Sequence, residues 1–211
     1  MDERVVRALR AHERATFEGD ADGLAGAERD LDAVEADLAL ARAKVGHAGF
    51  QAGGEEDPGE LEHLERAVEL YARIGDRAGE AEARCWIGIY HQVVRRDNAT
   101  AVPVLERARE LAARSGDARV LSYALRHLGV AEHVAGRLDA ARGYLEESTR
   151  LRREIGFPAG VAANLVGLIY LAAARNDLDL AAGLADEAHE LAEQAGATAI
   201  VRQVAEARGV L

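Results

Sequence analysis

LERARELAARSG, residues 105–116, recurs three more times along the chain and decides the fold. The other copies are LERAVELYARIG at 64–75, LEESTRLRREIG at 145–156 and ADEAHELAEQAG at 185–196. Every copy closes on a glycine, and successive closing glycines stand 41, 40 and 40 residues apart. A fixed period of this length indicates a stack of similar helical units, each too small to bury its own apolar face.

Two positions within the repeated segment hold the same type of residue in all four copies. One place holds a leucine and the other a small residue three positions before it, so both lie on one helical face. We therefore predict that both sets are buried, that the closing glycines adopt left-handed backbone, and that Asp76 and Asp117 cap the next helices. The leucines are Leu70, Leu111, Leu151 and Leu191, and the small residues are Ala67, Ala108, Ser148 and Ala188.

A second helix precedes each of these segments and carries a glycine near its middle. The four glycines are Gly46, Gly88, Gly129 and Gly167. A glycine inside a helix costs about 1 kcal/mol against alanine, so we expect each one to mark a close contact between paired helices. The prolines predict helix starts at Pro58 and Pro158, and either a start around 100–102 or a kink at Pro103.

The two ends differ from the repeats. The sequence pattern predicts a helix over residues 2–17, one long helix over residues 21–52 and a capping helix over residues 197–210. We divide a single domain into an N-terminal region, 1–32, repeats over 33–196, and a C-terminal cap, 197–211.

The long helix carries a heptad seam over residues 24–45. Because alanine and valine fill many of its places, we expect the seam to pack on residues 2–17 and on the helix from Glu60, which favours a monomer. A dimer through residues 24–45 is the alternative. The seam consists of Leu24, Ala27, Leu31, Val34, Leu38, Ala41 and Val45.

Charge and composition exclude several classes of function. The chain has 37 acidic and 26 basic residues and a net charge of −11, so we expect no binding to nucleic acid. The longest apolar run, 165–174, is half of what a membrane span needs, and no export signal follows Met1. A single cysteine, Cys85, fits the reducing cytoplasm.

Catalytic and metal-binding patterns are missing from the sequence. No two of the seven histidines stand four residues apart, and no phosphate-binding glycine loop occurs. Cys85 has no motif around it that would activate a thiolate, so we interpret it as an apolar packing residue. We expect no metal, no cofactor and no enzymatic activity.

The large residue before glycine in the first helix, with the small residue in the second, resembles the tetratricopeptide repeat family. The period near 40 is similar to its longer-repeat type. The resemblance implies an all-α, right-handed α-solenoid of about four helix-turn-helix pairs with extra N- and C-terminal helices, whose first helices line a concave groove. It places these ligand-binding residues in the groove: His47, Phe50, Gln92, Tyr123, Arg126, His133 and Asn164.

The function implied by this resemblance is protein or peptide binding in the groove. Arg126 and Asn164 hold the same place in consecutive first helices and resemble half of a carboxylate clamp, which suggests a carboxylate-bearing partner. Cys85 and Ala43 fill the earlier places, so the other half is missing. A ligand- or peptide-sensing regulatory domain is the alternative, and an enzyme is a third, less favoured one.

Overall fold

The computed structural model describes residues 1–209, and within them every regular element is helical. Asp2 caps the first helix, whose last turn is a π-helical segment, Arg14–Glu18, ended by Gly19. The ten α-helices are α1 (Glu3–Glu13), α2 (Leu24–Gln51), α3 (Glu60–Ile74), α4 (Arg77–Val93), α5 (Asn98–Ser115), α6 (Ala118–Val134), α7 (Leu138–Glu154), α8 (Pro158–Ala174), α9 (Leu178–Gln194) and α10 (Thr198–Arg208).

The helices pack in the predicted pairs. The most extensive contacts join α2 to α3, α4 to α5, α6 to α7 and α8 to α9, and each pair also contacts the next. Among residues 1–209, α4 also touches α2 and α6, and α8 touches α6 and α10. We call α2, α4, α6 and α8 the inner row, because these even-numbered helices contact one another in succession.

The repeat-based predictions of helix ends are confirmed. The four closing glycines have φ between 64° and 77°, a left-handed conformation that glycine adopts without steric cost. Asp76 Oδ1 accepts hydrogen bonds from the backbone N–H groups of Ala78 and Gly79, and Asp117 accepts one from Val120. The long helix and the final helix form as expected, although Val210 and Leu211 lie outside the described residues. The boundary set at residue 32 falls inside α2.

The predicted core leucines are largely confirmed. Leu70, Leu111 and Leu151 are buried, Leu191 is half-buried, and the small residue of each copy is fully buried. Apolar clusters run from α2 through α4, from α4 through α6, and from α8 through α10. Each cluster spans three helices, so neighbouring pairs share a continuous core.

The marker glycines behave as expected in two of four copies. A Cβ on Gly88 would lie 2.5 Å from Leu105 Cγ, and one on Gly129 would lie 3.0 Å from Leu145 Cγ, so α4 and α6 approach their paired helices closely. Gly167 instead faces Leu145 of α7 in the preceding pair, and Gly46 faces Asp57 of a connecting turn. The expectation is wrong for these two copies.

The proline-based helix start is confirmed at Pro158, lies two residues too early at Pro58, and is wrong for a start of α5 at 100–102. The turn at Pro58 precedes α3, which begins two residues later at Glu60, whereas Pro158 is the first residue of α8. Pro103 lies inside α5, which begins at Asn98 because the Asp97 carboxylate caps it by accepting from the Thr100 N–H.

The expected packing of the heptad seam on residues 2–17 is confirmed only at Ala27, which is buried with Ala8 and Ala11 of α1. Leu24, Leu31, Leu38 and Val45 are exposed, and α2 uses a different face for its core contacts. The buried residues of that other face are Ala36, Ala39, Leu40, Ala43 and His47.

Candidate functional site

Two arginines, one on α6 and one on α7, meet at Asn164 of α8 without an acidic partner. Arg126 of α6 donates from Nη1 to the Ala163 carbonyl at 2.6 Å and to Asn164 Oδ1 at 3.2 Å. Arg152 of α7 donates from its own Nη1 to Asn164 Oδ1 at 2.9 Å and to the Gly160 carbonyl at 2.7 Å. The neutral amide oxygen of Asn164 on α8 therefore accepts hydrogen bonds from two cationic side chains.

Arg152 is the more deeply placed of the two. Its side chain is 1% exposed, and its Nη2 has no hydrogen-bond partner in the described chain. Burial, together with the charge of Arg126, lowers the pKa of Arg152 to about 10, so the group remains a cation at neutral pH. Burial also lowers the pKa of Arg126, which is half-buried. Both cations have lost hydration that no carboxylate replaces.

This arrangement is unusual within the protein itself. The other partly buried arginines of residues 1–209 pair with carboxylates, as Arg84 does with Glu80 at 2.7 Å and Arg109 with Glu106 at 2.7 Å. Arginines without such a pair, apart from Arg126 and Arg152, are solvent-exposed. The chain leaves these two cations unmatched despite its excess of acidic side chains.

Serine hydroxyls hold the cluster in place. Asn164 Nδ2 donates to Ser148 Oγ at 2.8 Å, and that hydroxyl donates to the Ser122 carbonyl at 2.6 Å. Arg152 Nε in turn donates to Ser122 Oγ at 3.3 Å. Because Asn164 is fixed as a donor on one side, its oxygen faces both guanidinium groups. We call Arg126, Arg152 and Asn164, with these two serines, the arginine cluster.

Aromatic rings form the wall beside the arginine cluster. Arg152 Cζ lies 4.8 Å from the centroid of the Tyr123 ring and 5.5 Å from that of Phe157. The Tyr123 ring is also 6.3 Å from Trp86 of α4. Stacking on aromatic faces stabilises a cation only partly, so the rings do not replace a counter-ion.

A cavity of about 170 Å³ opens next to this wall, between α2, α4 and α6. Half of its lining residues are apolar or aromatic, namely Trp86, Tyr123, Val120 and Cys85, and the other half are charged. Those charged residues are Lys44, Glu82, Asp117 and Arg119. Lys44 pairs with Glu82 at 2.7 Å, and Asp117 is engaged as the cap of α6.

Three of the seven predicted groove residues come together here. Tyr123, Arg126 and Asn164 belong to the cluster or its wall, and Arg126 donates a hydrogen bond to Asn164. Asn164 is 0% exposed, so it positions the arginines and offers no surface of its own to a ligand.

The other four predicted residues lie elsewhere. His47 is buried and pairs with Glu60 at 2.8 Å, while Gln92 joins α4 to α6 by accepting from His127 Nδ1 at 2.6 Å. Burial lowers the pKa of His127 well below its usual value, which keeps that ring neutral. Phe50 and His133 are half-buried near the C-terminal ends of their helices. His133 lies roughly 10 Å along α6 beyond Arg126.

The sequence reading missed Arg152 and Phe157, although a signal for Arg152 was available. The residue after the conserved leucine is Tyr71, Ala112 and Ala192 in the other copies. A charged side chain at a place that is otherwise aromatic or small indicates a specialised contact. Phe157 lies in the turn before α8, outside the repeated segment, and the repeat carries no signal for it.

Cys85 is fully buried, and burial raises the pKa of its thiol to about 12, so it remains protonated at neutral pH.

Comparison of the chain with models of known protein families and with curated protein sequences finds no match. In residues 1–209, no helix combines the length and the apolar character that crossing a bilayer requires.

Proposed function

We propose that this chain is a binding module that holds the carboxylate end of a partner peptide against the inner row of helices. One observation carries the proposal: Arg152 is buried and Arg126 half-buried next to the aromatic wall of the cavity, and no acidic residue of the described chain pairs with them.

The two arginines lack a partner of opposite charge, and this lack has an energetic cost. Removing a cation from water costs several kcal/mol unless a partner of opposite charge replaces the lost hydration. Carbonyl and amide oxygens replace part of it here. A ligand anion would supply the rest and would gain more from two desolvated cations than from an exposed one.

The class of anion follows from the donors. Arg126 uses Nη1 for the protein and has no protein partner for Nε and Nη2 in residues 1–209. A guanidinium edge with two free donors matches a planar carboxylate in a bidentate pair. Arg152, whose Nη2 is buried, would attract the anion through its charge and not through a direct hydrogen bond.

The cavity can hold the apolar part of the ligand. Its volume of about 170 Å³ suits one apolar side chain, and its aromatic sides are the residue types that anchor peptides in interfaces. A peptide whose last residue is apolar could place that side chain against Trp86 and its terminal carboxylate against Arg126.

The resemblance to tetratricopeptide repeats supports the same assignment. That family binds peptides along its first helices, and the inner row holds the equivalent helices here. We propose on this basis a right-handed tetratricopeptide-type solenoid acting in the cytoplasm, with no enzymatic role.

A sensory role is the second candidate, favoured by the way the arginine cluster spans three helices. Arg126, Arg152 and Asn164 come from α6, α7 and α8. An anion between them would pull two repeats together, which is a local change that a stacked array can transmit. Reduced amide hydrogen exchange in α7 and α8 on ligand addition would support this role.

Trp86 provides a built-in test because it is the single tryptophan and lines the cavity. We would titrate the protein with acetylated pentapeptides ending in leucine, phenylalanine or valine, each as the free acid and as the C-terminal amide, and follow tryptophan fluorescence. We expect the free acids to bind and the amides to bind much more weakly.

Arg126→Ala should weaken binding of the free acid by about 2 kcal/mol, a factor of about 30, because a desolvated charge pair is lost. Arg114→Ala is the matched control, since Arg114 is exposed and unpaired on the outer helix α5. Equal binding of acids and amides, or equal effects of the two substitutions, would refute the proposal.

A further inference from the structure

Helix α2 carries an apolar stripe that the rest of residues 1–209 leaves substantially exposed. Leu24, Leu31, Leu38 and Val45 are 41%, 47%, 51% and 73% exposed. Their spacing of seven residues places them on one line along the helix. We call these four residues the α2 stripe.

The stripe faces away from the rest of the protein. Leu40 and His47 follow Leu31 and Leu38 by nine residues, two and a half turns, and therefore lie on the opposite side of α2. Both are buried, and α2 contacts α3 and α4. Helix α1 occupies a flank, where Arg7 pairs with Asp30 at 2.7 Å.

The stripe is also the open end of the inner row. Helices α4, α6 and α8 each have an even-numbered neighbour on both sides, but α2 has only α4. The opposite end is closed by α10, whose exposed face carries Arg202, Gln203 and Glu206. Stacks of repeats need a polar face at each end to remain monomeric, and α2 presents leucines instead.

The residues beside the stripe favour a second copy of the same helix. Three positions after each large residue stand Ala27, Val34, Ala41 and Ala48. In an antiparallel pair centred near residue 36, Leu31 lies opposite Ala41 of the second copy and Leu38 opposite Val34 of the second copy. These two central layers each combine a large side chain with a smaller one, which allows close packing, whereas Ala27 is buried against Ala8 and Ala11 of α1.

The flanking charges select the same register. The antiparallel pair places Glu28 opposite Arg42 of the second copy, twice by symmetry, and neither residue has an ion-pair partner in residues 1–209. Glu35 would meet its own symmetry mate, but Arg66 already neutralises it at 2.7 Å. A parallel pair sets each residue near its own equivalent and would keep Glu28 and Arg42 apart.

We propose that the chain forms a symmetric dimer in which α2 pairs antiparallel with α2 of a second copy through the α2 stripe. The interface is isologous, and it joins the two inner rows end to end across a two-fold axis. The peptide-binding proposal does not depend on it.

Sedimentation velocity of the full chain over a wide concentration range tests the dimer. We expect a species of twice 22.6 kDa that dissociates on dilution. Leu38→Glu should weaken the dimer by about tenfold or more, because it buries a charge in the seam. Val134→Glu is the control at an apolar residue that is 71% exposed on α6, and it should leave the dimer intact. A parent that stays at 22.6 kDa at every concentration would overturn the proposal.

Charge reversal tests the antiparallel register. Glu28→Arg and Arg42→Glu should each weaken the dimer by bringing like charges together, and the double variant should restore it. Circular dichroism would check that each variant remains helical. Failure of the double variant to recover, while Leu38→Glu still separates the copies, would refute the antiparallel pairing.

Discussion

Two buried polar groups occupy places that are small or apolar in most copies of the repeat. In the first pair, Glu60 stands where the other copies have Ala101, Ala141 and Ala181. In the third pair, Arg152 stands where they have an aromatic residue or alanine. Both side chains are almost completely buried, and each keeps one polar atom without a hydrogen bond, Glu60 Oε2 and Arg152 Nη2.

The two groups differ in charge balance. Glu60 Oε1 lies 2.8 Å from the His47 ring, whose other nitrogen is 3.2 Å from Gln51 Nε2, so the buried acid has a basic partner. Arg152 has a second arginine as its neighbour and only neutral acceptors. Burial alone therefore does not distinguish a structural polar residue from a ligand-binding one, whereas an uncompensated charge does.

Breaking the compensated pair should have the largest effect on stability. We expect His47→Leu to lower the free energy of unfolding by about 3 to 5 kcal/mol, because it leaves the Glu60 carboxylate buried without its partner. Urea-induced unfolding at neutral pH would measure it. Ile89→Leu, at the equivalent place of the second pair, is the control and should cost less than about 1.5 kcal/mol. Similar losses in the two variants would mean that the His47 pair contributes nothing specific.

Completing the uncompensated cluster should have an intermediate effect of the opposite sign. Asn164→Asp changes one amide into a carboxylate of the same shape that already faces both arginines. We expect the free energy of unfolding to rise by about 2 kcal/mol, since the two hydrogen bonds from the arginines become charge-assisted. The lost Nδ2–H donation to Ser148 is replaced when the Ser148 hydroxyl turns from the Ser122 carbonyl and donates to the new carboxylate oxygen. Asn98→Asp, remote from the cluster, is the control for the substitution. Destabilisation by Asn164→Asp would show that the cluster does not need an anion.

The smallest effect concerns the pH dependence of the first pair. Burial raises the pKa of Glu60 above its usual 4.5, against the opposing hydrogen bond from His47. The stability contributed by the protonated carboxyl is therefore present below pH 4.5 and lost as the pH rises through the pKa in the folded protein. Glu60→Gln cannot ionise, so its stability relative to the parent should increase as pH rises above about 4.5. Thermal unfolding across a pH series would show this, and a constant difference would contradict the raised pKa.

The repeat made most of the fold predictable. The closing glycines, the aspartate caps and the leucines of the repeat are local signals. The glycines and leucines occur in all four copies, and the predicted aspartate caps occur in two. The exceptions arise from contacts between segments. Gly167 packs on the preceding pair, and the seam leucines Leu24, Leu31 and Leu38 turn away from the core, which α2 meets with Leu40 and several alanines.

The site was only partly predictable for the same reason. The repeat register placed Tyr123, Arg126 and Asn164 on one wall. Arg152 reaches them from a different helix, and Phe157 reaches them from a turn. Whether His47 and Gln92 are free for a ligand depends on partners in neighbouring helices, Glu60 and His127, which the spacing of a single helix does not reveal.

The most direct test of the uncompensated cluster is calorimetric titration of the parent and of Asn164→Asp with the same free-acid peptide. If the two arginines await an external carboxylate, the parent should bind it and Asn164→Asp should bind it at least about tenfold more weakly, because the built-in carboxylate takes its place. Equal affinities, with both proteins folded, would contradict the assignment of Arg126 and Arg152 as the carboxylate-binding site.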